Sequence, residues 1–288
     1  MNAYTLAVIS LIAGNLLASL SDVAVKLLDG SIPSFQYVFI RQLIAIIALA
    51  PIYLHLNRSA TLSEHLANSR INIIRGQLIL VGAACMVVAI THLPLATANA
   101  VFYAAPLLML PLSMWILKEA PKAAKVIATL IGFIGVLIVL RPSQFHWAAL
   151  FALGTAITLA LFHILVKKIP TKTSVIHTLF WTSFYSLPVS ALLALSSWQT
   201  INTEQLAWIV FSSLAILGYN GLAVYAYKRS EANKVALVEY SGLVFVTLFG
   251  VLWFSEVPDL LTLIGIAMII VPIAYRKRTP EPRLSKQK

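Results

Sequence analysis

Ten long hydrophobic stretches run along the chain, and short polar connectors separate them. A helix needs about 20 mostly apolar residues to cross ~30 Å of bilayer hydrocarbon, and these stretches have about that length. The pattern therefore predicts an all-α protein with ten membrane-spanning helices and no room for a soluble domain between them. The stretches are 4–28, 33–56, 72–92, 95–117, 123–140, 147–166, 174–197, 205–227, 232–254 and 259–275.

Composition supports an integral membrane protein whose partner is the lipid bilayer. Hydrophobic residues make up 60% of the 288 residues and charged residues 11%, whereas a soluble domain has about 45–50% and about 25%. The net charge of +11 comes from connectors and the C-terminal tail, so we expect no nucleic-acid partner. The single cysteine, Cys85, excludes an internal disulfide and a multi-cysteine metal site.

The basic residues predict how the chain is oriented. Seventeen of the 21 Lys and Arg residues fall in the tail and in the connectors that share its side of the membrane, and Arg141 alone falls on the other side. Basic loops stay in the cytoplasm. We therefore expect a multi-pass protein of the bacterial inner membrane with both termini cytoplasmic.

An internal repeat divides the chain into two halves of five predicted helices. Because five is odd, the halves would insert with opposite topology, which is typical of transporters with inverted repeats. The predicted units are repeats at 1–141 and 142–275 and a basic cytoplasmic tail at 276–288. At a spacing of 137 residues, Ala89, Tyr103, Glu119 and Pro121 correspond to Ala226, Tyr240, Glu256 and Pro258.

The ends of the two halves share a helix–short loop–helix pattern. It reads Trp115-Ile-Leu-Lys-Glu119-Ala-Pro121 in the first half and Leu252-Trp-Phe-Ser-Glu256-Val-Pro258 in the second. With these motifs and its ten helices, the chain resembles the EamA-type branch of the drug/metabolite transporter superfamily. Its first hairpin, with Asp22, Lys26 and Arg41, resembles one subgroup of that branch.

The resemblance implies a secondary carrier of small organic metabolites. It also implies a cavity lined mainly by the first, third, fourth, sixth, eighth and ninth helices. Relatives in this subgroup are associated with uptake of S-adenosylmethionine or riboflavin and with export of amino-acid-derived compounds. The direction of transport in this chain stays open between uptake and export.

Charges inside the first hairpin are the strongest site candidates, because a charge in a membrane span is costly. Asp22 lies eight residues before Gly30 and Arg41 eight after Pro33, so both lie roughly 12 Å below the turn. Two interpretations are open. Asp22 and Arg41 form a structural pair, or Arg41 or Lys26 receives a substrate carboxylate or phosphate while Asp22 holds the cation in place.

Glu239 is the other deep charge, roughly 10 Å inside the ninth stretch. It is a candidate for proton coupling or for pairing with a substrate amine. The alternative is a hydrogen bond to a hydroxyl or histidine within the bundle. The adjacent Tyr240 repeats Tyr103, and tyrosine rings suit planar or cationic solutes, although they are also common packing residues.

Further cavity candidates are polar or aromatic residues in apolar surroundings. Asn99 lies beside a ridge of small residues, Asn220 lies between Gly218 and Gly221, and Trp181 belongs to an aromatic stretch. The expected substrate is a small anionic or zwitterionic metabolite, amino-acid-like or with a flat nucleoside- or flavin-like body.

Other polar residues have simpler interpretations. His163, close to Lys167, is expected at the membrane interface. Glu119 and Glu256 are expected to cap helices or pair within loops. The sequence contains no HExxH, GxxxxGK[ST] or GxSxG motif. We therefore expect no enzyme and no cofactor, although an intramembrane enzyme stays a less favoured alternative.

Overall fold

A computed structural model describes residues 3–56, 68–118, 123–140, 146–170, 172–230 and 236–274, which are helical with short turns and contain no strand. The predicted tail 276–288, Glu119 and several basic connector residues lie outside these ranges. The helices are α1 Ala3–Leu27, α2 Ser34–Leu56, α3 Ser69–His92, α4 Leu95–Phe102, α5 Ala105–Leu117, α6 Ala123–Leu140, α7 Ala148–Val166, α8 Val175–Leu195, α9 Thr203–Arg229, the 3-10 helix Ala236–Tyr240, α10 Ser241–Phe254 and α11 Leu260–Ala274.

The helices form ten segments, at the positions of the ten predicted stretches, because α4 runs into α5 and the 3-10 helix runs into α10. Seven segments are long and apolar enough to cross a membrane, and the remaining apolar helices are shorter. The predicted all-helical membrane protein is therefore confirmed. The seven are Tyr4–Leu27, Ser34–Leu56, Ser69–His92, Leu95–Leu117, Ala148–Val166, Val175–Leu195 and Thr203–Arg229.

The surface of the bundle is apolar and much of its interior is polar. Large hydrophobic side chains such as Ile47 and Leu192 are exposed, whereas Gln36 and Ser212 are fully buried. A large exposed apolar surface marks contact with a membrane or partner. Many buried polar groups find partners inside, as when the Tyr37 hydroxyl lies 2.5 Å from the Ser212 hydroxyl.

The first hairpin turns at Asp29 and Gly30, which both adopt left-handed backbone conformations. Glycine favours such a conformation because it lacks a Cβ. We call this end of the bundle, where α1 meets α2, the hairpin end. At the same end the Gln36 side chain donates to the Gln199 carbonyl and accepts from the Gln199 N–H. These bonds join α2 to the turn between α8 and α9.

Helices from the two parts of the chain pack against each other in pairs. The most extensive contacts join α1 to α9, α3 to α7, α2 to α8 and α6 to α11. The Thr155 hydroxyl, for example, donates to the Gly82 carbonyl between α7 and α3 at 3.3 Å. This pairing places α1, α3, α7 and α9 around the centre of the bundle.

Two backbone features recur at the spacing of the sequence repeat. The fourth segment breaks at Tyr103, between α4 and α5, and the ninth changes from 3-10 to α-helix after Tyr240. Lys118 and Ser255, also 137 residues apart, both end their helices in a left-handed conformation. Each break leaves a tyrosine near the middle of the bundle.

Candidate functional site

A cavity of about 130 Å³ lies at the centre of the bundle. Its walls come from α1, α3, α4, α5, α7, α9 and the 3-10 helix, which are the segments that the resemblance implies, and from α2 through Arg41. We call it the central cavity. Its polar lining consists of Asn15, Asp22, Arg41, Asn99, Tyr103, Thr155, Thr158, His163, Tyr219, Asn220, Tyr227 and Glu239.

One wall carries a carboxylate, a guanidinium and an amide. Asp22 of α1, Arg41 of α2 and Asn99 of α4 are all buried, and Asn99 lies beside Asp22. Within the described part of the chain, no ion pair under 4.0 Å joins Asp22 to Arg41. Both charges thus face the central cavity, where a ligand group can reach them.

The other wall is organised around Glu239. Its Oε1 accepts a hydrogen bond from the Tyr227 hydroxyl at 3.0 Å and its Oε2 one from Tyr219 at 3.3 Å. The Asn15 amide donates to the main-chain carbonyls of Val238 and Glu239 at 3.1 Å. The alternative interpretation of Glu239, a hydrogen bond to a hydroxyl within the bundle, is therefore observed. Asn15, a lone amide in an apolar stretch, joins the site.

The interfacial interpretation of His163 is wrong. The ring is buried, and its Nε2 lies 3.2 Å from the Tyr219 hydroxyl. The prediction failed because α9 extends to Arg229 and covers the end of α7 with Tyr219 and Tyr227. His163, Tyr219 and Glu239 therefore form a continuous polar chain along the cavity.

The two repeat-related tyrosines meet at the cavity. The ring centroids of Tyr103 and Tyr240 lie 6.2 Å apart, and Tyr103 lines the cavity whereas Tyr240 is buried behind it. The Tyr103 hydroxyl occupies the space beside Gly242, where a Cβ would lie 1.8 Å from it. Only glycine at 242 leaves room for this ring.

Lys26 and Trp181, predicted to bind substrate, do not line the central cavity. Lys26 Nζ lies 2.5 Å from Glu256 Oε1 and donates to the Leu93 carbonyl at 3.0 Å. Trp181 donates its indole N–H to the Tyr53 hydroxyl at 2.9 Å, in an aromatic group between α2 and α8. Asn220, also predicted, does line the cavity.

The Lys26–Glu256 pair closes the hairpin end. Glu256 also accepts from the N–H of Leu95, the first residue of α4, at 2.7 Å, so it caps that helix, one of the two roles expected of this glutamate. The pair ties α1 to the α3–α4 turn and to the loop after α10. The sequence could not reveal it, because its two members lie 230 positions apart.

A similar lysine contact closes the opposite end, where α7 and α9 finish. Lys167 Nζ donates to the Ser230 carbonyl. Ser230 stands 137 residues after Leu93, the carbonyl partner of Lys26, and the Val166-Lys167 dipeptide echoes Val25-Lys26. Both ends of the central cavity are therefore held by a lysine that bridges helices.

Comparison with known proteins identifies the kind of protein that shares these features. The EamA-like transporter family matches residues 5–141 and again residues 146–275. The S-adenosylmethionine uptake transporter of Rickettsia prowazekii is 30% identical over 264 residues, which cover 88% of this chain and 86% of the relative.

Two further relatives differ in their cargo. The pseudopaline exporter of Pseudomonas aeruginosa is 26% identical and covers 91% of this chain and 92% of its own. The riboflavin transporter of Vibrio cholerae is 30% identical over 168 residues, or 56% of this chain and 55% of its own. A crystal structure that is 21% identical superposes with a TM-score of 0.66 over 94% of this chain and 96% of the other, and shows the fold alone.

Proposed function

Because the chain belongs to the EamA-like transporter family, we propose that it is a secondary active transporter that moves a small organic metabolite across the bacterial inner membrane by alternating access. The relatives are transporters and not enzymes, as the sequence led us to expect. One observation carries the proposal: a central cavity that both halves line, with separate charged walls.

The walls favour an anionic or zwitterionic substrate, amino-acid-like or with a nucleoside- or flavin-like body, as in the S-adenosylmethionine or riboflavin class. Arg41, without an ion pair to Asp22, would bind a carboxylate or phosphate. Asp22 and Glu239 would meet a cationic group or a proton. Asn99, Asn220 and the aromatic rings of Tyr103 and Tyr240 would shape the space around a flat body. This set omits Lys26 and Trp181, which have partners elsewhere.

The volume of the cavity supports a gated cycle. About 130 Å³ holds a few water molecules, whereas a nucleoside-sized metabolite needs more room. Substrate must therefore enter a wider state, and we propose that the Lys26–Glu256 pair and the Lys167–Ser230 contact open in turn. Motions of this kind commonly set transport and turnover rates.

The same contacts support a ten-span arrangement of two inverted repeats, 1–141 and 142–275, with both termini cytoplasmic. Replacing each helix by its equivalent in the other half leaves the set of helix pairs unchanged. The α1–α9 pair becomes the α7–α3 pair, and the α2–α8 and α6–α11 pairs each become themselves. Transporters with inverted repeats place their substrate between such halves.

Glu239 is the proposed coupling residue. Its described partners are the hydroxyls of Tyr219 and Tyr227 and no basic side chain, so a proton can neutralise it within the cavity. His163 extends the polar chain toward the opposite end. Proton movement through this chain would drive accumulation of substrate.

A ligand-dependent thermal shift of purified protein tests the substrate class. S-adenosylmethionine and riboflavin are the first probes, with wild type, Arg41→Gln and Glu239→Gln side by side. Because a ligand that binds only the folded state raises apparent stability, we expect stabilisation of the wild type and loss of the response in folded Arg41→Gln. Stabilisation of Arg41→Gln equal to that of wild type would contradict the anion-binding role.

Export is the second candidate direction, and the similarity to the pseudopaline exporter over 91% of this chain favours it. Cells that express the protein would then lose a preloaded substrate faster than control cells. Faster accumulation from the medium would instead establish uptake.

A further inference from the structure

Arg75 is a buried cation that the central cavity does not explain. It lies six residues after the start of α3, with 0% of its surface exposed. Its Nε donates to the Phe162 carbonyl at 3.3 Å, and its guanidinium carbon lies 4.0 Å from the centroid of the Phe162 ring. Its Nη1 and Nη2 atoms have no hydrogen-bond partner. Two nitrogens of the Arg75 guanidinium are therefore buried inside the bundle as unpaired hydrogen-bond donors.

No acid in the described part of the chain compensates this charge. None of the six described Asp and Glu side chains lies within 4.0 Å of Arg75. Its charged or titratable neighbours are His163 on α7 and Lys228 on α9, both close enough to interact with it electrostatically. Lys228 already donates to the Thr173 carbonyl at 2.7 Å. Such a cluster attracts an anion, and a buried charge with free donors calls for an explanation.

Phe162 contacts Arg75 and also lines the central cavity. The ring lines that cavity and also a smaller adjoining cavity that Arg41 and Asn220 share. Arg75 stacks on the same ring in cation–π contact. A rotation of the Phe162 side chain would therefore open the free Nη atoms to the cavity that holds Arg41, at the side nearer the opposite end of the bundle.

We propose that Arg75 is a second anion-binding site of the transporter, which receives a carboxylate of the substrate when Phe162 turns aside. The chemistry follows from the two free nitrogens, because a guanidinium fork binds the two oxygens of a carboxylate in parallel. The substrate would pass from Arg41 to Arg75 as the hairpin end closes and the opposite end opens. This inference rests on the proposed transport function.

Acetate tests the site directly, and acetamide is its uncharged counterpart of the same shape. Purified wild type, Arg75→Gln and Arg70→Gln are heated with either probe at matched ionic strength. Arg70 is an exposed arginine on the same helix and serves as the control. We expect acetate, but not acetamide, to raise the unfolding temperature of wild type and Arg70→Gln. Arg75→Gln should keep only the smaller response that Arg41 gives, and Arg41→Gln combined with Arg75→Gln should lose the response altogether. An equal acetate response in Arg75→Gln would overturn the proposal.

Phe162→Leu covers the case in which Arg75→Gln does not fold. With a smaller side chain over the guanidinium, acetate should act at a concentration at least threefold lower than in wild type, and an unchanged concentration would contradict the proposal.

Transport separates this inference from the proposed function. Uptake of S-adenosylmethionine into proteoliposomes should fall at least tenfold in Arg75→Gln, whereas uptake of its decarboxylated analogue should be unaffected. An equal loss of uptake for both compounds in Arg75→Gln would show that Arg75 has a structural role and would overturn the proposal. If wild type moves neither probe while the acetate response depends on Arg75, the anion site stands and the substrate class is wrong.

Discussion

Loss of the Lys26–Glu256 pair should open the hairpin end of the central cavity. In Glu256→Gln the charge attraction to Lys26 disappears, and the Leu95 N–H keeps only a neutral acceptor. Lys26 retains the Leu93 carbonyl and the ring of Phe254, whose centroid lies 5.4 Å from Nζ. This contact at the hairpin end then lacks its ion pair.

The size of the effect follows from the partial burial of the pair. The side chains are 15% and 23% exposed, so the pair is intermediate between a surface ion pair and a buried one. A surface ion pair contributes about 0–1 kcal/mol of stability, and removal of one partner of a buried pair costs about 3–5 kcal/mol. We take about 2 kcal/mol. Since 1.4 kcal/mol is tenfold, the open population should rise about 30-fold.

A thiol reporter in the cavity measures this opening. Thr155→Cys lies on the cavity wall, and Cys85→Ala removes the native thiol. A charged, membrane-impermeant thiol reagent should modify the reporter about 30-fold faster in Glu256→Gln and in Lys26→Met. The exposed glutamate at the same end, Glu204, provides the control variant Glu204→Gln, which should leave the rate unchanged.

The double variant decides whether the two side chains act as one contact. Because each substitution breaks the same pair, Lys26→Met with Glu256→Gln should react about 30-fold faster than the parent, as the single variants do. A product of the two single effects, about 1,000-fold, or no effect in either, would refute this interpretation of the pair.

Three further predictions concern the cavity. Gly242→Ala should destabilise the protein by about 1–3 kcal/mol in thermal unfolding, since its Cβ would overlap the Tyr103 hydroxyl. Adding Tyr103→Phe should partly restore the stability. The control Gly221→Ala, whose Cβ would lie 3.7 Å from its nearest neighbour, should have little effect. Glu239→Gln should abolish accumulation driven by a proton gradient but keep substrate exchange, and loss of both would contradict proton coupling. Tyr227→Phe removes the 3.0 Å hydrogen bond to Glu239 and should cost about 1–3 kcal/mol of stability, which an unchanged unfolding temperature would exclude.

Hydropathy was sufficient to predict the helices, because each must hide its backbone from lipid over a fixed length. The predicted stretch 72–92 lies within α3, Ser69–His92. Within the described part of the predicted stretch 232–254, hydropathy did not reveal the 3-10 turn Ala236–Tyr240, a local change of hydrogen bonding that it does not encode. The repeat also matched Tyr103 with Tyr240, and the structure places both at helix breaks.

The cost of burying charge was sufficient to select Asp22, Arg41 and Glu239, which all line the cavity. It could not distinguish the cavity from other polar contacts inside the bundle. Lys26 lies one turn beyond Asp22 and pairs instead with Glu256, since the loop after α10 reaches it. Lipid-facing and buried positions both carry many apolar side chains, so sequence alone could not orient Trp181 or His163.

Substrate counterflow in proteoliposomes tests the central claim most directly. Vesicles loaded with unlabelled S-adenosylmethionine, or in parallel with riboflavin, receive a trace of the same labelled compound outside. A carrier that alternates access predicts transient accumulation of label with at least one probe, and its loss in Arg41→Gln. Equal label uptake in wild-type, Arg41→Gln and protein-free vesicles would contradict the account.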